Sequence, residues 1–228
     1  MLPLLALVAC TGAYDGPAPG DAGAAAFGKV VTLLGDGLGD VAVCGLDLAI
    51  PCVQSAGDGD FLLEPLPLAT DVVVTMVKEG HLPTAYLHHT ALAQEWRKTL
   101  MPDAIVNSMT SRVDTTIDPT LGHVLFILWA GPDYDTFGRV PDVTFTIDAP
   151  DAVTFYQGSG GMPDPALTAT SDSGSGGVFN LPPGRYSVTF AGGDFTCGPW
   201  FSPDFVAGQP VIVPAIAGFA SYMDLVCT

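Results

Sequence analysis

Basic residues are scarce in this chain: 7 Lys and Arg stand against 24 Asp and Glu, a formal charge of -17 over 228 residues. A surface of that sign repels phosphate backbones, which excludes nucleic acid as a partner. It repels anionic headgroups equally, so any membrane attachment has to be apolar. Long apolar runs are missing as well. No stretch reaches the roughly 18 residues of a membrane-spanning helix. Only four histidines occur, and none form H-x-x-x-H or H-E-x-x-H. Ser159 and Ser175 lie in Gly-rich turns that do not read G-x-S-x-G. "GDGLGD" (35–40) is followed by Val-Ala-Val, not by a helix whose N-terminus could hold phosphate.

What is plentiful is glycine (27), proline (20) and apolar side chain (48%). The chain can therefore bury a core, and its composition suits short strands joined by tight turns. The length allows one large or two small domains.

Five cysteines are present, Cys10, Cys44, Cys52, Cys197 and Cys227. An odd number leaves at least one without an intramolecular partner. Cys44 and Cys52 bracket a span that can fold back as a hairpin, and Cys197 and Cys227 lie near the last strands. Both are expected to pair, which leaves Cys10. By loop-closure entropy the short bridge contributes about 2.6 kcal/mol and the long one about 3.7 kcal/mol. Before the leftover cysteine stands Leu7-Val8-Ala9-Cys10, which resembles a bacterial lipobox. The resemblance implies a signal peptide at 1–10, lipidation of Cys10, and an exported protein lipid-anchored to a bacterial membrane, periplasmic or surface-facing on the outer membrane. Residues 11–26 hold no aliphatic side chain larger than Ala. They read as a flexible tether with an r.m.s. span of roughly 20–25 Å.

From Phe27 the pattern turns strand-like, and it is used twice. "GKVVTLL" (28–34) is matched by "GHVLFILW" (122–129), and "GLGDVAVCGL" (37–46) by "GRVPDVTFTI" (138–147). "GDGDFLLEPLPLATDVVVTM" is matched by "SGSGGVFNLPPGRYSVTF" (173–190). Such self-similarity predicts two like units. Val72, Val74 and Met76 alternate with Val73, Thr75 and Val77, a strand buried on one face. Pro67 and Pro182 are expected to end strands and keep an edge from pairing. Between the units, "ALAQEWRKTL" (91–100) spaces Leu92, Trp96 and Leu100 four apart, which predicts a short helix ended by Pro102.

The elements Asp58-Gly59-Asp60-Phe61, Leu66-Pro67 and Lys78-Glu79-Gly80-His81 resemble the hallmark of carboxypeptidase regulatory-like domains, small sandwiches of the transthyretin (prealbumin-like) type. The second half offers Gly177-Val178-Phe179, Leu181-Pro182-Pro183-Gly184 and Tyr186-Ser187-Val188, with Gly176 where the motif has Asp. The expected fold is all-β: two small antiparallel β-sandwiches, prealbumin-like or Ig-like, at 27–90 and 121–228. A helical or loop linker at 91–120 joins them. Phe61 and Phe179 are expected at equivalent core positions.

Three candidate chemistries accompany this plan. His81, His88 and His89 fall within nine residues and His123 follows, which invites a metal-dependent enzyme. Asp58, Asp60 and Glu64 offer oxygens to calcium without EF-hand spacing, and a plain Asp-Gly turn is the simpler reading. Trp200 and Tyr156, on an exposed face, would suit carbohydrate; Trp200, Phe201 and Phe205 cluster near Cys197. Shared features of the two halves are Gly, Phe, Leu and Pro, which build turns and cores. The reading is a non-enzymatic cell-envelope lipoprotein, a structural or binding module for a protein or polysaccharide partner. It needs no cofactor and no metal.

Overall fold

A computed structural model describes residues 23–91, 95–131, 138–149, 152–192, 195–199 and 209–228. Cys10, most of the tether, Leu92, Trp200, Phe201 and Phe205 lie outside the described residues. The strands of the first half are β1 (Ala24–Val31), β2 (Ala42–Gly45), β3 (Val53–Gln54), β4 (Asp60–Leu66), β5 (Asp71–Val77), β6 (Thr84–His89) and β7 (Glu95–Thr99). A helix, α1 (Asp103–Ser111), follows. The second half holds β8 (Gly122–Trp129), β9 (Thr144–Ile147), β10 (Val153–Tyr156), β11 (Ser175–Leu181) and β12 (Gly184–Ala191). It ends with β13 (Cys197–Pro199), β14 (Val211–Ala215) and β15 (Ala220–Cys227).

These strands form two sandwiches that share a sheet. Three-stranded sheets, β4-β1-β7 and β14-β12-β9, flank a nine-stranded sheet ordered β10-β11-β8-β15-β6-β5-β2-β3, with β13 also on β15. Successive residues of β15 face the two cores in turn, as a strand's pleat requires. Met223, Leu225 and Cys227 belong to the second core, and Tyr222 packs against the first. Two of the three sheets are mixed, because β1–β7, β6–β15 and β8–β15 are parallel pairs.

The same connectivity occurs in both halves. β4-β1-β7 corresponds to β11-β8-β15, antiparallel then parallel, and β2-β5-β6 to β9-β12-β14, antiparallel throughout. The correspondence reaches single hydrogen bonds. Leu38 N–H donates to Val30 O, as Val140 N–H does to Leu128 O. The Ser55 hydroxyl donates to Leu38 O and accepts from Val41 N–H. Thr170 does the same for Val140 and Val143. Asp40 and Asp142 both take φ near +60° (56° and 60°).

Residue equivalence differs from the expected register by three positions. Gly59 N–H donates to Ala56 O and Gly174 N–H to Ser171 O, and both glycines have positive φ. The counterpart of Phe61 is therefore Gly176, not Phe179, and that of Asp58 is Ser173. Phe61 fills the first core beside Trp96, with ring centroids 6.3 Å apart. Phe179 lies in a third cluster, stacked on Phe155 at 4.6 Å, together with Leu82, Val106, Met109, Leu125 and Ala220. In β4 Phe61 stands opposite Gly28, and in β8 Phe126 stands opposite Gly176. The large and small partners have exchanged strands, so each core keeps one ring at the same level.

Three further expectations are corrected. The helix expected over 91–100 is not found at Glu95–Thr99, which is the strand β7, paired in parallel with β1. A spacing of four satisfies a period of two as well as 3.6, and burial alternates through exposed Glu95, buried Trp96 and exposed Arg97. The helix starts where one was expected to stop. Pro102 is its N-cap, Asp103 occupies its first turn, and Val106, Met109 and Thr110 form its buried stripe. The first sandwich thus runs past 90, and Ala24–Ala26 are buried in β1, not tether. Pro67 does follow an outer strand, but Pro182 ends β11, which is paired on both sides.

Candidate functional site

Asp58, Asp60, His81 and His89 each have a local partner. At the Asp-Gly turn, Asp58 Oδ1 accepts the Asp60 N–H at 3.2 Å, and Ser173 Oγ stands in the same relation to Ser175 N–H. Buried Asp60 meets Lys29 Nζ at 2.7 Å, and Asp58 lies 3.9 Å from the same ammonium. A lysine therefore supplies the positive charge that calcium would have brought. Glu64 stands further along β4, before Pro65.

The histidines do not converge. His81 contacts Glu79 O at 3.1 Å, and half-buried His89 pairs with Asp71 at 2.7 Å. His88 points the other way, buried edge-on against Trp96 at 4.8 Å. His123 is wholly buried across the molecule, where Nδ1 accepts the Asn180 N–H at 3.1 Å. Burial lowers both inner histidines to about 4, so they are neutral at pH 7. Among the described residues no three His, Cys, Asp or Glu side chains are grouped to hold a metal.

The carbohydrate arrangement loses Tyr156. It is buried in the second core, its hydroxyl accepts the Phe145 N–H at 3.0 Å, and burial raises its pKa. Trp200 lies outside the described residues.

Sequence reasoning missed two polar constellations. At the seam, Lys98 of β7 meets Asp224 of β15 at 2.6 Å, with both side chains nearly buried. The Lys98 ammonium sits 4.8 Å from the Tyr86 ring and 5.4 Å from that of Trp96. Trp129 Nε1 points at the other Asp224 oxygen, 3.4 Å away, and Arg139 stacks on Trp129 at 3.3 Å. Burial and the Asp224 charge push the Tyr222 hydroxyl pKa up. The lone cue was a Lys in an otherwise apolar strand face. The other constellation is a shallow surface concavity lined by Ser111, Asp114, Thr115, Asp118 and Asn180. Asn180, at φ 60°, donates to Thr116 O and Thr115 Oγ1 and accepts the Asp118 N–H. Thr120 donates twice to Asp118 and lowers its pKa. These contacts tie the approach to β8 onto β11.

Both expected disulfides are formed. Cys44–Cys52 closes the β2–β3 hairpin and Cys197–Cys227 joins β13 to β15. Such bridges belong to an exported protein in an oxidising compartment. Among the described residues no helix is long and apolar enough to cross a membrane.

No protein-family model matches the chain, and no curated protein matches it. Solved structures offer distant likenesses. A Bacillus anthracis TIE protein is 12% identical with a TM-score of 0.27, over 89% of this chain and 34% of that one. A streptococcal ancillary pilin is 13% identical with a TM-score of 0.27, over 90% of this chain and 62% of that one. A mutant shaft pilin SpaA of Lactobacillus rhamnosus GG is 10% identical with a TM-score of 0.24, over 90% and 98%. The chain spans less than two thirds of the first two.

Proposed function

We propose that this protein is a non-enzymatic lipoprotein of the bacterial cell envelope, anchored through Cys10 and serving as a structural or protein-binding module. One observation carries the reading: the buried charged groups are used in holding the sandwiches together. Asp60 neutralises Lys29 within the first sandwich, and Asp224 neutralises Lys98 between the two. What the two halves share is turn and core chemistry, with Ser173 and Ser175 standing where Asp58 and Asp60 stand. Function on such scaffolds sits in loops. The lipobox-like Leu7-Val8-Ala9-Cys10 supplies the anchor, and two acyl chains hold a protein stably at a bilayer.

Cys10→Ser tests this directly. The wild-type chain is expected in the membrane fraction, extracted by detergent and carrying a lipid mass on its N-terminal peptide. The variant is expected in the soluble exported fraction, folded and with both disulfides intact. A variant that still sediments with membranes would remove Cys10 as the anchor.

A further inference from the structure

An anchor at Cys10 makes one end of the molecule the near one. The described chain enters at β1, where Ala24 stands opposite Leu66 of β4. The β4–β5 turn therefore lies at the entry end. It holds Leu68, which is 70% exposed. Hydrogen bonds fix that exposure: Thr70 Oγ1 donates to Leu68 O, Thr70 N–H to Thr90 Oγ1, and Thr90 N–H to Thr70 O. Thr90 directly follows β6, and β6 is parallel to β15. The close of β15 thus lies at the same end. There Thr196 and Thr228 exchange both backbone hydrogen bonds, and Phe195 beside them is 43% exposed. Each sandwich presents a large apolar side chain at the end where the chain enters.

Two further exposed leucines mark the opposite end. Leu33 and Leu34, 51% and 90% exposed, follow the close of β1. β1 has 8 residues, so they stand about 26 Å from the entry at roughly 3.3 Å per residue. The chain from Cys10 to Gly23 reaches at most about 45 Å when fully extended. Bringing the Leu34 end to a bilayer would use more than half of that reach in running back along β1. The Leu68 end meets the bilayer with no such extension. Apolar residues scattered singly are ordinary on a surface, and two of them hold no free protein on a membrane. On an anchored chain the contact is intramolecular, and its high effective concentration lets shallow insertion persist. Exposed Glu64, Asp71 and Glu95 belong to the same half of the first sandwich, and they repel anionic headgroups.

We propose that the end carrying Leu68 and Phe195 rests on the bilayer in which Cys10 is anchored, with both side chains at the boundary between headgroups and acyl chains of lipids that carry no net charge. This orientation rests on Cys10 being the anchor. The turn of Leu33 and Leu34 then faces away from the membrane.

The test uses the chain from Cys10, made without lipid. Its Cys10 thiol, left over from the two disulfides, is coupled to a maleimide lipid in phosphatidylcholine nanodiscs. A share of the lipid carries a nitroxide on its acyl chain. Methyl resonances are compared with the nitroxide oxidised and reduced. The Leu68 and Thr70 signals are expected to be lost beside the oxidised label, and those of Leu34 to persist. Leu68→Ser with Phe195→Ser should restore the Thr70 signal while circular dichroism and both disulfides stay native. A Leu68 signal that persists in the parent overturns the proposal, and so does equal loss at Leu34. A Thr70 signal still lost in the double variant overturns it too, since nearness would then come from the attachment alone. Should the double variant not fold, Leu68→Ser alone decides by the same Thr70 signal. Because the attachment is chemical, none of these outcomes depends on acylation in the cell, which the mass of the N-terminal peptide reports separately.

Discussion

Single residues carry the acid sensitivity of this protein. His88 and His123 are buried, and burial lowers both to about 4 from an ordinary 6.5. Between those values the unfolded chain takes up protons that the folded chain refuses. Stability from these two groups is therefore complete above about pH 6.5, falls as pH drops toward 4, and levels off below it. At most about 3 kcal/mol is lost for each histidine. Urea unfolding at pH 7 and at pH 5 should show a clear drop, and His88→Phe, which keeps a ring against Trp96, should shrink it. An unchanged slope in that variant would remove His88 as a source. The histidines were visible in the sequence, but their environments were not, because adjacent His88 and His89 differ only in which side of β6 they occupy. The same ambiguity put Tyr156 on a surface it does not reach. The cysteines were legible because both partners of each pair fall on adjacent strands.

At the scale of elements, the repeat was readable and its register was not. Aligning the halves on their phenylalanines placed Phe61 against Phe179, whereas the backbone aligns on Gly59 and Gly174, where positive φ and the close approach of Val30 O and Leu128 O favour glycine. The exchange of large and small partners hid this, since the ring that fills the second core is on β8 and not on β11. Close approach explains why glycine remains opposite each ring. A Cβ on Gly28 would stand 2.0 Å from the Trp96 carbonyl oxygen, and one on Gly176 would stand 2.5 Å from that of Phe155. Gly28→Ala and Gly176→Ala should each destabilise by about 2 kcal/mol or more, the range of overpacked cores. Gly57→Ala, with open space around its Cβ, should be close to neutral. Chemical denaturation of the three variants checks the order. The β7 strand shows a second limit of pattern reading: a four-residue spacing serves helix and strand alike, and only pairing with β1 decides between them.

At the scale of the molecule, the two sandwiches should unfold together although each has its own core. The nine-stranded sheet runs through both, and only three residue pairs, from Ala220–Thr84 to Tyr222–Tyr86, join β15 to β6. Beyond that short ladder, the Tyr86–Tyr222 ring contact, the third cluster around Leu82 and Phe179, and the Lys98–Asp224 ion pair connect the halves. Two charges taken out of water do little for stability when paired, but a lone one left behind costs about 3–5 kcal/mol. Lys98→Met should therefore destabilise by about that much, while Lys98→Met with Asp224→Leu should recover most of it. Trp96 reports the first core, and Trp129 reports β8 of the second sandwich. Single-tryptophan forms with Phe at the other two positions can thus follow each sandwich through a urea transition. In the parent the two reports and the far-ultraviolet signal should coincide. In Lys98→Met the charge on Asp224 loosens the seam, and the Trp129 transition should move to lower urea ahead of Trp96. Coincident, unshifted transitions in that variant would mean that the ion pair contributes nothing to the coupling, which the backbone ladder, the Tyr86–Tyr222 contact and the third cluster then supply.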